Sequence, residues 1–370
     1  MKILALEPFY GGSHRYFVDG LIAGSQHEWT LYSLPDFSWR WRMRHSAIYF
    51  ADKIRHDRTN YDLIFCTSMV NVGELKGLLP ARLRDVPVVV YFHENQLAYP
   101  VYGSEPSTGV MMDNLVSALS ADQVWFNSKW NLDSMLDGLS AFSKKVPDHP
   151  PVDQLDPICK KSQVMPLWVT APTQVAKRSK TGPLHILWAA RWERDKNPQD
   201  FFRALRILKN RKIDFKLSVL GECPVGYPPI FDNARDIFSD NIIHWGYKDT
   251  RDEYFDAVAG ADVIVSTSDH EFFGLSVLEA AACGVRPVLP QRLSYPEIFI
   301  DDEGRILKDY FYGSDSDDLA DFLENLSVLK KREGGICMSL RIRPENVADR
   351  YSKEKMMQLY DNAFASVIQS

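Results

Sequence analysis

No two of the five cysteines (Cys66, Cys159, Cys223, Cys283, Cys337) stand at C-x-x-C spacing. That argues against a zinc ribbon and against a disulfide framework; it fits a reducing compartment, so a cytoplasmic protein is expected. No run of about 18 apolar residues occurs, so no membrane-spanning helix and no stable membrane insertion are expected. The first apolar run ends at Glu7, too early for a secretory leader. Positive charge is not in excess either: 43 Lys plus Arg face 49 Asp plus Glu, a net charge of −6. A general polyanion binder is thereby excluded, and any grip on a polyanion must be a local patch. There is no short repeat. The one D-x-D, in "SDSDD" (314–318), lies in a polar loop, and no metal site is expected.

What is present is a repeated alternation. Short apolar runs at 2–7, 61–68, 86–94 and 122–128 read as strands, each followed by a turn and a plausible helix such as 131–142. This is the βαβ pattern of a doubly wound parallel sheet. Prolines at 143–163 and a polar stretch at 170–183 interrupt it. The alternation then restarts with strands at 184–191, 215–222, 241–247, 261–268 and 286–290, and helices over 198–210 and after Gly274. The chain of 370 residues is too long for one ordinary core. The expected division is a first Rossmann-like domain over 1–170, a linker at 171–183, a second over 184–345, and a helical tail at 346–370 packing back on the body. Ligands of such sheets bind beyond the carboxyl ends of the strands.

The first half is slightly acidic, yet residues 36–58 hold six basic against three acidic side chains. At their centre stands "SWRWRMRH" (38–45). Its period of two places Arg40, Arg42 and Arg44 on one face of an extended segment and Trp39 and Trp41 on the other. Two readings stand: a half-wet strand, or a grip in which the arginines hold phosphates and an indole stacks on a base. Period two also argues against an amphipathic membrane-surface helix starting before His45.

The chemistry-bearing stretch is "STSDHEFFGLSVLEAAACG" (266–284). A strand ends at Ser268, a loop carries Glu271 and Phe273, and Gly274 turns the chain into a helix holding Glu279. Free N–H groups near Gly274 and Leu275 suit a phosphate, and Glu279 suits the two hydroxyls of a ribose. "AARWERDKNP" (189–198) adds Arg191 and Lys196 in a post-strand loop, able to share one diphosphate as a fork and a point charge. Each feature alone is ordinary surface or helix-start structure; the set is more specific than its parts.

"EFFGLSVLEA", "RWERDKNP", "VLGE" and "HWGY" resemble the retaining glycosyltransferases of family 4, which have the two-domain GT-B fold. "LEPFYGGSH" (6–14), 31–47, "YFHENQLAYP" (91–100) and 118–128 resemble one branch of it, the tRNA-queuosine mannosyltransferase family. The resemblance runs from Met1 to about Asp301. It implies transfer of mannose from GDP-mannose to the cyclopentenediol of queuosine in the anticodon of aspartate tRNA, with no cofactor and no metal. It implies that Arg191 and Lys196 hold the diphosphate and Glu279 the ribose. Glu271, with the backbone around Phe273–Leu275, would hold the sugar and phosphates. Residues 101–114 depart from the branch, which puts acceptor contacts there in doubt.

In the first domain, Gly12 and His14 follow the first strand; a tight turn explains the glycines as well as a ligand does. His93 follows another strand. It is either satisfied by backbone or, as the resemblance implies, bonded to the donor sugar. Glu94, Asn95 and Gln96 are candidates for the acceptor diol, with His14, Arg40, Arg42 and Arg44. The competing expectation is a family-4 enzyme acting on a lipid or small acceptor at a membrane; a nucleotide-sugar-binding module without catalysis is a third.

Overall fold

The structure is a computed structural model and describes residues 1–99, 108–151, 153, 155–170, 172, 178–179, 181–337 and 339–369. The first half of the divergent 101–114 segment and most of 171–180 therefore lie outside the described residues, while 108–114 open a helix, Thr108–Ser120. The chain forms two compact units, Met1–Leu167 with Lys353–Ser370, and Trp168–Ser352.

The first unit is built on strands β1 (Lys2–Tyr10), β2 (Glu28–Pro35), β3 (Leu63–Thr67), β4 (Val88–Phe92), β5 (Gln123–Phe126) and β6 (Ser162–Val164). Their order is β2-β1-β3-β4-β5-β6, and every pairing is parallel. A parallel sheet is covered on both faces, which is why its strands read as continuous apolar runs. One face turns Leu4, Leu6, Ile64, Val88, Val90 and Phe126 into a core shared with Ala47, Phe50 and Ile54. The other face carries Phe65, Tyr91 and Trp125, and the helix Lys353–Gln369 covers it. Phe364 lies 4.8 Å from Trp125 and 5.6 Å from Phe65, ring to ring. The Tyr360 hydroxyl donates to Met165 O at 2.8 Å. The helical tail expected over 346–370 is in fact two helices, Pro344–Asp349 and Lys353–Gln369, with the bridge Val169↔Ser352 between them in sequence.

The basic-aromatic stretch is not a strand. A helix spans Trp39–His56 and buries Met43, Ser46, Ala47, Phe50, Ala51 and Ile54, the i, i+3, i+4 spacing of one apolar face. Ser38 turns into it at φ 49. The expectation of three arginines on one face is corrected accordingly. At 100° per residue, Arg40 and Arg44 share a side and Arg42 points away.

The second unit has β7 (Leu184–Ala189), β8 (Phe215–Leu220), β9 (Ile242–Gly246), β10 (Val263–Val265), β11 (Arg286–Pro290) and β12 (Phe311–Tyr312). The order is β12-β11-β10-β7-β8-β9, again all parallel. Its core gathers Trp188, Phe201, Leu205, Leu217, Val219 and Leu323. β7 and β10 are direct neighbours, so the loops after them emerge side by side at the carboxyl edge of the sheet. Among the described residues no helix is long and apolar enough to cross a membrane.

Candidate active site

In the second unit, hydrogen bonds bolt the two loops together. Thr267 Oγ1 donates to Lys196 O and Asn197 O, both at 2.9 Å. Asp269 N and His270 N donate to Asp195 O at 2.8 and 3.2 Å. Asn197, at φ 48, caps the helix Pro198–Asn210 by accepting from Asp200 N. Lys196, in the short turn Arg194–Lys196, is thereby held in a buried position and aimed at the second loop. Its Nζ donates to His270 O at 2.7 Å and pairs with Glu271 Oε2 at 3.4 Å and Asp195 Oδ2 at 3.3 Å.

A buried ammonium favours its neutral form, but here the two carboxylates reverse that effect and Lys196 is held above its ordinary value. Burial likewise pushes the Glu271 carboxyl up. Lys196 and the Phe273 N–H outweigh it, and the net shift is downward. His270, whose Nδ1 is 3.9 Å from Asp195, is lowered to about 4, first by burial and then by Lys196. At neutral pH the cluster thus holds the Lys196 ammonium, the Glu271 carboxylate and a neutral His270 imidazole.

Gly274 leads the helix Leu275–Ala282 at φ 89, and a Cβ there would lie 2.7 Å from Tyr295 Cε1. Only glycine meets both constraints. The loop before it is pinned by Ser294 Oγ, which donates to Phe273 O at 3.0 Å; Phe273 itself is buried. Glu279 is buried one turn further on. Its Oε1 lies 2.9 Å from Arg251 Nη2, a charge contact without hydrogen-bond alignment. Burial raises the Glu279 carboxyl more than Arg251 lowers it. Arg191 is half exposed and pairs with Glu193 Oε2 at 3.2 Å. The structure thus brings Lys196 and Glu271 into direct contact, while Glu279 answers to a different cation.

In the first unit, Gly12 begins the helix Gly12–Gly24 at φ 49, with open space where a Cβ would go, whereas a Cβ on Gly11 would collide with the Asp36 carboxylate. His14, on the first turn of this helix, is buried against Glu7, its Nδ1 3.3 Å from each carboxylate oxygen. The His14 and His93 rings lie 4.2 Å apart. His93 Nε2 is buried without a hydrogen-bond partner, and burial, then His14, holds this imidazole neutral. Glu7, His14 and His93 offer a carboxylate and two imidazoles within 4.8 Å of one another. One carboxylate–imidazole pair of the three is already joined by the Glu7–His14 contact.

Beyond His93, Glu94 accepts from the Tyr99 hydroxyl at 3.1 Å, and Gln96 N donates to Asn114 Oδ1 at 2.8 Å. Asn95 is fully buried: its Nδ2 donates to Asn131 Oδ1 at 2.9 Å and Ser134 Oγ at 3.1 Å, while its Oδ1 accepts from Leu97 N and Ala98 N. Both ends of that amide are engaged in shaping the loop. Of the three arginines, Arg40 lies over the Trp39 ring at 4.7 Å. Arg42 donates twice to Pro35 O at 3.2 Å, and Arg44 pairs with buried Asp113 at 3.0 Å.

Four partners escaped the sequence reading: Glu7, Asp195, Asp113 and Arg251. Only Glu7 left a signal, as the one acid inside an apolar strand.

Residues 2–169 match the family model for the amino-terminal part of tRNA-queuosine alpha-mannosyltransferase. Residues 172–333 match that for glycosyl transferases of group 1. A tRNA-queuosine alpha-mannosyltransferase of Drosophila melanogaster is 37% identical over 309 residues, covering 80% of this chain and 81% of that protein. The chain belongs to the tRNA-queuosine alpha-mannosyltransferase family. A D-inositol 3-phosphate glycosyltransferase of Pseudarthrobacter chlorophenolicus, by contrast, is 35% identical over 115 residues, which cover 30% of this chain and 27% of that one. Among solved structures, a sucrose-phosphate synthase of Thermosynechococcus elongatus matches with a TM-score of 0.67 at 14% identity, covering 99% of this chain and 100% of that one. An apo lipopolysaccharide outer-core galactosyltransferase matches at 0.64 and 13%, covering 99% of each. These likenesses establish the fold expected above: GT-B, with two Rossmann-like units. The family is one of glycosyltransferases, so the reading as a non-catalytic binding module falls.

Proposed function

We propose that this chain transfers mannose, with retention, from GDP-mannose to the cyclopentenediol of queuosine in the anticodon of aspartate tRNA, in the cytoplasm and without a metal ion. The observation that carries the reading is the family match over residues 2–169, because the second half matches a general group of glycosyltransferases. Arg191, Lys196 and the first N–H groups of the helix after Gly274 hold the diphosphate. Glu279 holds the ribose, Glu271 and the backbone of Phe273–Leu275 the sugar, and His93 a sugar hydroxyl. The acceptor set is His14, Gln96, Glu94 and the arginines; Asn95 supports the loop that carries two of them.

In the reaction the bond from the anomeric carbon to the diphosphate breaks and GDP leaves with the electron pair. Lys196 and Arg191 stabilise the charge that develops on it. The acceptor hydroxyl attacks from the same face, and its proton passes to the departing phosphate oxygen. No protein nucleophile is required, which agrees with Glu271 being tied to Lys196 at 3.4 Å.

A membrane acceptor keeps one supporting observation. The helix Trp39–His56 is basic and leaves Trp41 and Ile48 exposed, at 56% and 55%, as a surface-lying helix would. Two measurements separate the readings. Queuosine-containing tRNA incubated with GDP-mannose gains the mass of one hexose on queuosine, and anionic liposomes do not sediment the protein. Liposome binding with no tRNA product overturns the proposal.

A further inference from the structure

Trp41 has no part in the reaction derived above. It is 56% exposed, yet its ring is held. The His45 ring lies 5.1 Å away at an interplanar angle of 12°, an offset stack. Tyr49 follows His45 at 6.2 Å, and Lys53 Nζ lies 5.5 Å from the Tyr49 ring and 5.2 Å from the Tyr32 ring, within cation–π range of both. Residues 41, 45, 49 and 53 are four apart, so they neighbour one another along one side of the helix Trp39–His56. His45 Nδ1 is buried with no hydrogen-bond partner; the imidazole serves here as a flat surface. The lysine closes one end of the row. Helical side chains lean toward the N-terminus, so Trp41 ends the row toward the helix start, with one face on His45 and more than half of its surface open.

The surroundings of the open end decide what fits it. The contiguous apolar face of this helix, Met43, Ala47, Phe50 and Ile54, is already buried. On the outer side exposed Arg44 stands between Trp41 and Ile48, and exposed Asp52 and Arg55 follow, so no apolar stripe is left for a lipid layer. Exposed Arg40 stands beside Trp41. A flat ring among guanidinia suits a polyanion that carries flat bases. The helix start is also at the carboxyl edge of the first sheet. Pro35 pairs with Tyr10, Arg42 donates to Pro35 O, and Asp36 lies against Gly11, directly before the helix that carries His14.

We propose that Trp41, backed by His45, is a stacking platform for one unpaired base of the anticodon loop, which it holds by the π-face alone. The base extends the row Trp41–His45–Tyr49, and Arg40 takes a flanking phosphate. His45 is a positioning residue: it orients the indole and does not touch the RNA. The inference rests on the tRNA reading above.

Equilibrium binding of aspartate tRNA, with and without queuosine and over a series of salt concentrations, tests it. Trp41→Ala weakens binding of both tRNAs by the same factor, about 10- to 100-fold. Its salt slope stays that of the wild type, whereas Arg40→Ala flattens the slope. Trp41→Phe keeps most of the affinity. His45→Ala loses part of it and His45→Phe regains that part, because only the ring surface is used. The KM for GDP-mannose stays within about twofold in every variant, and thermal unfolding checks that each is folded.

Two results on folded Trp41→Ala overturn the proposal: tRNA affinity within about twofold of wild type, or a loss confined to the queuosine-containing tRNA. Equal losses in His45→Phe and His45→Ala overturn the stacked row. Wild type that sediments with anionic liposomes, and loses this in Trp41→Ala while tRNA affinity holds, makes the row a lipid contact and overturns the proposal as well. Wild type that binds no tRNA overturns the function proposed above, and this inference with it.

Discussion

Replacing Lys196 by alanine removes the one ammonium that faces Glu271, Asp195 and the His270 carbonyl together. Lys196 is 8% exposed, and the Glu271 and Asp195 side chains keep only 25% and 13% of their surface. Breaking a buried pair by removing one partner costs about 3–5 kcal/mol, because the other charge is left uncompensated. Two carboxylates remain here, so the upper part of that range applies at neutral pH.

The pH dependence follows from the shifts. Glu271 is held below its ordinary value chiefly through Lys196. Its stabilising contribution is present above the unfolded carboxylate value and is lost as pH falls through the lower folded one. Lys196 is held above its ordinary value. Its contribution is present below the unfolded lysine value and is lost as pH rises through the higher folded one. In Lys196→Ala the largest effect opposing burial is gone and the Phe273 N–H remains, so the Glu271 carboxyl moves up and the variant becomes more stable relative to wild type as the pH is lowered into the carboxylate range. Turnover falls about 100-fold or more, the cost of one donor lost from a developing anion. The assay is urea unfolding at a series of pH values, alongside single-turnover transfer from GDP-mannose. A stability difference that does not narrow in acid, or turnover within about tenfold of wild type in folded protein, refutes the reasoning.

Further outcomes are expected. Glu271→Gln also loses about 100-fold in turnover, read in the same single-turnover assay, with GDP binding retained. Gly274→Ala forces a non-glycine side chain to φ 89 and onto Tyr295; it costs about 1–3 kcal/mol in urea unfolding and weakens GDP binding by calorimetry. Arg40→Ala breaks no ion pair with a buried group, so it flattens the salt dependence of tRNA binding by about 0.7–0.9 in slope and leaves the unfolding temperature alone. Arg44→Ala strands buried Asp113, whose carboxyl is already pushed up by burial, and lowers the unfolding temperature as well; GDP-mannose affinity is unchanged in both arginine variants.

Strands buried on both faces were legible in the sequence because burial leaves an uninterrupted apolar run, as in β1, β3, β4, β7, β8 and β11. The edge strands β2, β6 and β12 left no such trace: β2 is half-buried along its length and the other two span three and two residues. The loops after β7 and β10 were legible because they carry charge and glycine directly behind apolar runs. Their side-chain partners were not. Asp195 reaches Lys196 only through the turn Arg194–Lys196, and Arg251 reaches Glu279 from a separate helix. Residues 38–45 misled because alternating indoles and guanidinia imitate a strand, while the apolar face that makes them helical begins only at Met43. Asn95 misled differently, since a polar residue after a strand looks the same whether it faces a ligand or closes the turn behind it.

The central claim is that queuosine is the acceptor. Aspartate tRNA prepared with and without queuosine, incubated with labelled GDP-mannose and this protein, tests it directly. Label is expected only on the queuosine-containing tRNA, released as a mannosylated nucleoside on digestion. Equal labelling of both tRNAs, or none of either with GDP-mannose fully bound, would contradict it.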